Sequence, residues 1–251
     1  MRSGGLRACC VVAAVMTGGG HALAQGPDVE AAPPVNELSG GSKPEHFLFY
    51  SGFDIWRFGL AGFGGFYAAP DGLDKDGFIL RLFFSAGRER YDTSTKRFNT
   101  GILRGSLLPG WRLSEGGFEL KVFAGLDLED RLPAPGLPAA NASKAHIGAR
   151  VAAETWWEPM SGTMLTSSLS ATTNFNGWSV RGAAGWRAFD LFWAGPEILA
   201  SGDVFSRQFR IGAHLTGIKL ATFEWSAAAG LVQDSFGRNG VYGRIGLLAR
   251  Q

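Results

Sequence analysis

Two carboxylates, Asp127 and Glu129, stand two positions apart in the run Val122-Phe123-Ala124-Gly125-Leu126-Asp127-Leu128-Glu129. On a strand that spacing puts both side chains on one face, about 6.5–7 Å apart. Glycoside hydrolases use carboxyl separations that overlap this value. The flanking residues form no substrate cleft, and strand ends are commonly acidic, so a structural role comes before a catalytic one. Beyond residue 24 the histidines are His46, His146 and His214. They are isolated from one another and give no metal-ligand spacing. In His214-Leu215-Thr216 a threonine stands where a lipid-processing barrel enzyme would want a nucleophilic serine. Gly59, Gly62, Gly64 and Gly65 precede no helical pattern, so they are not a nucleotide loop. They read instead as small residues that ease close packing. No cofactor is implied, and with no long basic run the sequence does not point to nucleic acid.

A larger set of charged residues recurs on alternate positions of apolar segments. The acids are Asp54, Glu89, Glu119, Asp127, Glu129, Glu154, Glu197 and Glu224; the bases are Arg81, Lys121, Arg150, Arg181, Arg187, Arg210 and Arg244. The two signs nearly balance, so a single-sign selectivity ring is not expected. Paired with one another, these groups would form a salt-bridged interior that stiffens the fold. With His214 they would alternatively line a polar track for a neutral polysaccharide, with Trp and Tyr faces stacking on sugar rings.

Strands must position these residues. In one segment Phe118, Leu120, Val122, Ala124, Leu126 and Leu128 point one way, while Glu119, Lys121, Phe123, Gly125, Asp127 and Glu129 point the other. In the next, Ile147, Ala149, Val151, Ala153, Thr155 and Trp157 oppose His146, Gly148, Arg150, Ala152, Glu154 and Trp156. A helix with this spacing would carry charge all round its circumference, whereas period two is that of a strand. Such segments fall near 46–57, 59–69, 77–91, 98–113, 117–131, 145–158, 163–174, 178–188, 191–200, 206–217, 222–234 and 240–250. Short connections (114–117, 158–162, 188–190) alternate with longer ones (92–100, 132–144, 235–240). About twelve strands with turns of this kind predict an all-β, antiparallel, transmembrane outer-membrane β-barrel. A soluble periplasmic β-sandwich also alternates. Low charge (18%), 37 glycines among 251 residues and 12% aromatics favour the membrane form. Trp56, Tyr91, Trp111, Trp156, Trp157, Trp178 and Trp186, near segment ends, are the expected aromatic girdles.

The N-terminus sets the compartment. Arg2 and Arg7, the apolar run Ala8 to Met16, and Ala22-Leu23-Ala24 make residues 1–24 a cleavable signal peptide. Cys9 and Cys10 lie inside it, so the mature chain would hold no thiol or disulfide. Removing Arg2 and Arg7 also leaves 22 basic against 22 acidic residues. Residues 25–45, with Pro27, Pro33, Pro34 and Pro44, read as a flexible leader, and residues 46–251 as the barrel domain.

Several local motifs combine in order along the chain. They are Ser51-Gly52-Phe53-Asp54, Asp71-Gly72-Leu73-Asp74-Lys75-Asp76-Gly77-Phe78-Ile79-Leu80-Arg81, Val122-Phe123-Ala124-Gly125-Leu126-Asp127, Gly195-Pro196-Glu197, and Gln208-Phe209-Arg210-Ile211-Gly212-Ala213-His214. Together, over roughly residues 48–250, they resemble the BcsS family of bacterial cellulose-biosynthesis proteins. The resemblance implies an outer-membrane barrel accompanying cellulose synthase in a Gram-negative bacterium, and a pathway rather than a reaction. It carries over no catalytic residue. The expected function is non-enzymatic assistance to cellulose export or surface deposition. Outer-membrane lipid, cellulose and other synthase-complex components are the implied partners. A general porin or scaffold without polysaccharide specificity, and a lipid- or glycan-hydrolysing barrel enzyme, are the alternatives.

Overall fold

A computed structural model describes residues 44–92, 97–132 and 145–251. The expected signal peptide, the expected leader up to residue 43 and the segments 93–96 and 133–144 lie outside the described residues. The strands are β1 (Phe47–Trp56), β2 (Gly59–Ala68), β3 (Gly77–Asp92), β4 (Arg97–Glu115), β5 (Phe118–Leu132) and β6 (His146–Met160), then β7 (Thr163–Thr172), β8 (Trp178–Ala188), β9 (Phe192–Gly202), β10 (Arg207–Leu220), β11 (Phe223–Asp234) and β12 (Asn239–Arg250). Each pairs antiparallel with its sequence neighbours, and β1 pairs with β12 from Leu48 opposite Arg250 to Trp56 opposite Tyr242. The result is a closed barrel of twelve strands with no free edge.

The alternation in sequence becomes an inside and an outside. Along β5, Glu119, Lys121, Phe123, Asp127 and Glu129 are buried in the interior, while Val122, Leu126 and Leu128 are exposed on the outer wall. On β6, Arg150, Ala152, Glu154 and Trp156 point in, and Ile147 and Val151 point out. The outer wall is apolar on every side, including Phe53, Leu103, Val180, Ile211, Leu231 and Ile245. That is a surface suited to hydrocarbon rather than water.

Glycine makes room for the bulky groups inside. A Cβ on Gly65 of β2 would lie 2.0 Å from the Leu82 carbonyl oxygen and 2.5 Å from the Tyr50 hydroxyl. Its absence lets the Tyr50 ring lie flat across β2 and donate to that carbonyl at 3.0 Å. Gly217, at φ +80°, lies within the register shift between Leu215 and Ile218 of β10, the conformation a bulge glycine adopts.

The two ends differ. Both chain ends of the barrel domain and the tight connections 116–117, 161–162, 189–191 and 221–222 lie at one rim. At the other, β3 ends and β4 begins, β5 ends and β6 begins, and residues 173–177, 203–206 and 235–238 connect strands. Two connections break this rule. The short Arg57-Phe58 turn sits at the long-loop rim, and the 69–76 loop sits at the short-turn rim, where Leu73 N donates to Glu45 O at 2.7 Å.

The aromatic girdle needs correction. Trp111, Trp157 and Trp186 face outward as expected, but Trp56 and Trp156 are buried in the interior. Trp156 shares its parity with Glu154 and packs against Trp193 and Met164, and Trp56 shares that of Asp54. Trp178 is half-buried, and the Tyr91 side chain lies outside the described residues.

Candidate functional site

The barrel interior holds the residues of interest, and strand parity aims them there. Near the β1 wall, Arg210 Nη1 on β10 donates to both carboxylate oxygens of Asp54, at 2.9 and 2.7 Å. Its Nε donates to Gln208 Oε1 at 2.8 Å. Because β11 and β12 lie between β10 and β1, this pair crosses the lumen as a chord. A second chord centres on Glu197 of β9. It accepts from Arg181 Nη2 at 2.8 Å, from Arg244 Nη2 at 2.7 Å, and from the Tyr242 hydroxyl at 2.7 Å. On the opposite side, Glu154 of β6 accepts from Arg81 Nη1 of β3 at 2.8 Å and from the Tyr67 hydroxyl of β2 at 2.9 Å. The Arg81 guanidinium also lies over the Tyr67, Phe83 and Phe123 rings.

Toward the short-turn rim, Glu119 binds Arg112 Nη2 at 2.7 Å and Lys121 Nζ. Toward the long-loop rim, Asp127 accepts from Arg150 Nε at 2.8 Å, Thr172 Oγ1 at 2.6 Å and Asn174 Nδ2 at 3.0 Å. Glu129 accepts from Arg104 Nε at 3.1 Å and Arg131 Nε at 2.7 Å. Asp127 and Glu129 are therefore each held by a guanidinium of their own. Neither is an unengaged carboxyl of the kind general acid–base work requires.

Arg131 also links two loops at the long-loop rim. Its guanidinium lies 4.5 Å from the ring centres of both Phe175 and Phe205, and it pairs with Asp203 in the β9–β10 loop. Phe175 and Asn176 hold left-handed backbone at φ 51°, and Val204 N donates to Phe175 O at 2.8 Å, tying the two loops together. Asp203 Oδ1 accepts from Phe205 N and Ser206 N. Burial holds the Asp203 carboxyl above the usual carboxylate range despite the pull of Arg131.

Of the residues expected inside, Asp54, Arg81, Glu119, Lys121, Asp127, Glu129, Arg150, Glu154, Arg181, Glu197, Arg210, His214 and Arg244 are all buried there. Arg187 is not with them. It is exposed at the short-turn rim, its guanidinium 5.2 Å from the centre of the Trp193 ring. Sequence reasoning missed Arg104 and Arg112, although both fall on the inward parity of β4 with Ser106 and Leu108. It also missed Arg131, Asp203, Tyr67 and Tyr242, whose partners lie on distant strands or in loops. A recess between Asp54, Trp56, Ser85, Glu89, Arg104 and Arg210 holds about 20 Å³, room for about one water molecule.

The family model for cellulose biosynthesis protein BcsS matches residues 48–251, the whole of the barrel wall but its first residue. The chain belongs to the BcsS family. Among curated proteins no sequence matches it. Among solved structures, this BcsS-family barrel is similar to the KdgM porin, at 10% identity and a TM-score of 0.46 over 80% of this chain and 98% of that one. It is also similar to a deltaS2 mutant of the TodX monoaromatic hydrocarbon channel, at 9% identity and a TM-score of 0.49 over 87% and 92%. A third is the translocator domain of the autotransporter NalP from Neisseria meningitidis, at 12% identity and a TM-score of 0.43 over 87% and 92%. Membership of the BcsS family places the chain in cellulose biosynthesis; the chemistry has to come from the interior just described.

Proposed function

We propose that this BcsS-family barrel is a non-catalytic outer-membrane accessory that assists export and surface deposition of cellulose from the outer membrane, without serving as an open conduit for the glucan. The observation that carries this is the filled interior: Asp54–Arg210, Glu197–Arg244 and Glu154–Arg81 each join strands three steps apart in the ring, and all six side chains are buried. A polysaccharide threading the lumen would have to part several buried ion pairs, each costly to leave unpartnered. Asp54 with Arg210, Arg81 with Glu154, Glu119 with Lys121, Asp127 with Arg150, and Glu197 with Arg181 and Arg244 are engaged with one another, which favours a stiffening role for these residues of the expected track. A rigid closed barrel acts through its rims and loops. The apolar outer wall supports the membrane location, and the leader would be exposed by signal-peptide cleavage after Ala24.

Deleting the gene tests this. Surface cellulose should fall while synthase activity in isolated inner membranes is unchanged, since an outer-membrane protein does not contact the cytoplasmic sugar nucleotide. Unchanged surface cellulose with an active synthase rejects the deposition role. Loss of synthesis in inner-membrane preparations points instead to a signalling or assembly role.

A further inference from the structure

Among the described residues, the exposed charges of the barrel are sorted by rim. At the short-turn rim, Asp71, Asp74, Asp76, Glu115 and Asp190 are exposed beside the fewer cations Lys75, Arg187 and Lys219. At the long-loop rim, among the described residues, every exposed side chain of the Asp, Glu, Lys and Arg types is an arginine: Arg57, Arg88 and Arg207.

Their register is as informative as their sign. Arg57 follows Ile55, which is 56% exposed on the outer wall, by one outward step in the chain. Arg88 lies on the outward parity of β3, beyond Phe84 (55% exposed) and opposite Leu60 of β2. Arg207 opens β10 two residues before the outward Phe209. Each guanidinium thus stands at or just above the upper edge of the apolar wall, where acyl chains give way to headgroups. The three occupy one arc, from β10 through the β1–β2 turn to β3, which is six consecutive strands of the closed barrel. Over that arc, among the residues whose side chains are described, the outward rim positions also include the amides Gln233 and Asn239. The carboxylate of Asp234 turns inward, engaged by Arg238.

We propose that this arc binds the phosphate groups of a phosphorylated glycolipid in the outer leaflet. The assignment rests on the outer-membrane location, with the long-loop rim facing outward. Guanidinium forks match phosphate oxygens bidentately. Their position at the wall's edge fits a lipid whose phosphates sit at the headgroup boundary rather than a soluble anion. An arc wider than one headgroup fits a ligand with more than one phosphate.

The test uses the mature protein refolded into phosphatidylcholine vesicles that contain lipid A with both phosphates, dephosphorylated lipid A, or phosphatidylglycerol. Insertion is checked by the change in gel mobility between unheated and boiled samples. Phosphorylated lipid A should raise the unfolding midpoint and co-purify with the protein in native mass spectrometry; dephosphorylated lipid A should do neither. Combining Arg57→Gln, Arg88→Gln and Arg207→Gln should weaken retention at least about tenfold. Combining Lys75→Gln, Arg187→Gln and Lys219→Gln at the opposite rim should leave it intact. Equal protection by dephosphorylated lipid A, or full retention by the first triple variant, overturns the proposal. Equal protection by phosphatidylglycerol overturns the choice of glycolipid. Failure to insert overturns the membrane location on which the proposal rests, and is told apart by the gel.

Discussion

Asp54 and Arg210 are 156 residues apart in sequence, yet both oxygens of the one accept from Nη1 of the other across the barrel interior. Both are buried, and the pair joins β1 to β10 over the two strands between them. A barrel wall held only by its neighbouring strands can flex in cross-section. A chord of this kind fixes the distance between walls.

Removing one partner of the chord should therefore be worse than removing both. Arg210→Met leaves Asp54 buried without its guanidinium and should cost about 3–5 kcal/mol. Asp54→Leu combined with Arg210→Met should recover most of that loss. Urea titration of the refolded protein in vesicles measures both; a double variant as unstable as the single one would show that the chord is not the operative contact.

The outer wall should reject charge. Val122→Arg and Val151→Arg place a guanidinium in hydrocarbon and should each cost about 2–4 kcal/mol if near the bilayer midplane. Lys121→Gln, one position away on the inner face, should be milder because Glu119 keeps Arg112. If all three variants assemble equally well, the assignment of inner and outer faces is wrong.

Arg131 should govern the mouth. Wild-type protein in planar bilayers should conduct little, because the inward side chains are buried against one another and the Arg131–Phe175–Phe205 stack lies at the long-loop rim. Arg131→Gln removes the stacking and the pairing with Asp203 together, and should raise conductance and speed proteolysis of the 173–177 and 203–206 loops. Identical traces for both proteins would leave the stack without a closing role.

The pH response of that mouth has a definite sign. Burial raises the Asp203 carboxyl, so the folded state binds its proton more tightly than the unfolded chain. The resulting stability is complete below the unfolded value of about 3.9 and fades as pH climbs through the raised folded value. Asp203→Asn stays neutral throughout and should flatten the decline. Hydrogen exchange at the Phe205 and Ser206 amides should be slower in the variant than in wild type near about pH 7. Faster exchange would mean that the ion pair with Arg131 outweighs burial.

The sequence by itself determined the wall. Period-two alternation is a local property, so it located all twelve strands to within a few residues and put Glu119, Lys121, Arg150 and Glu154 on the inner face. It also held more than depth along the strand revealed. Trp56 and Trp156 share parity with Asp54 and Glu154, and parity, not nearness to a strand end, decides that they point inward. What only the tertiary structure decided is who meets whom. Glu154 finds Arg81 and Tyr67, Glu197 finds Arg244 and Tyr242, and Arg131 finds Asp203 because closure at twelve strands sets the width of the lumen. Chords across a ring depend on its circumference and register. No local stretch of sequence encodes either one, so the inward charges by themselves favour a paired interior without saying which charge meets which.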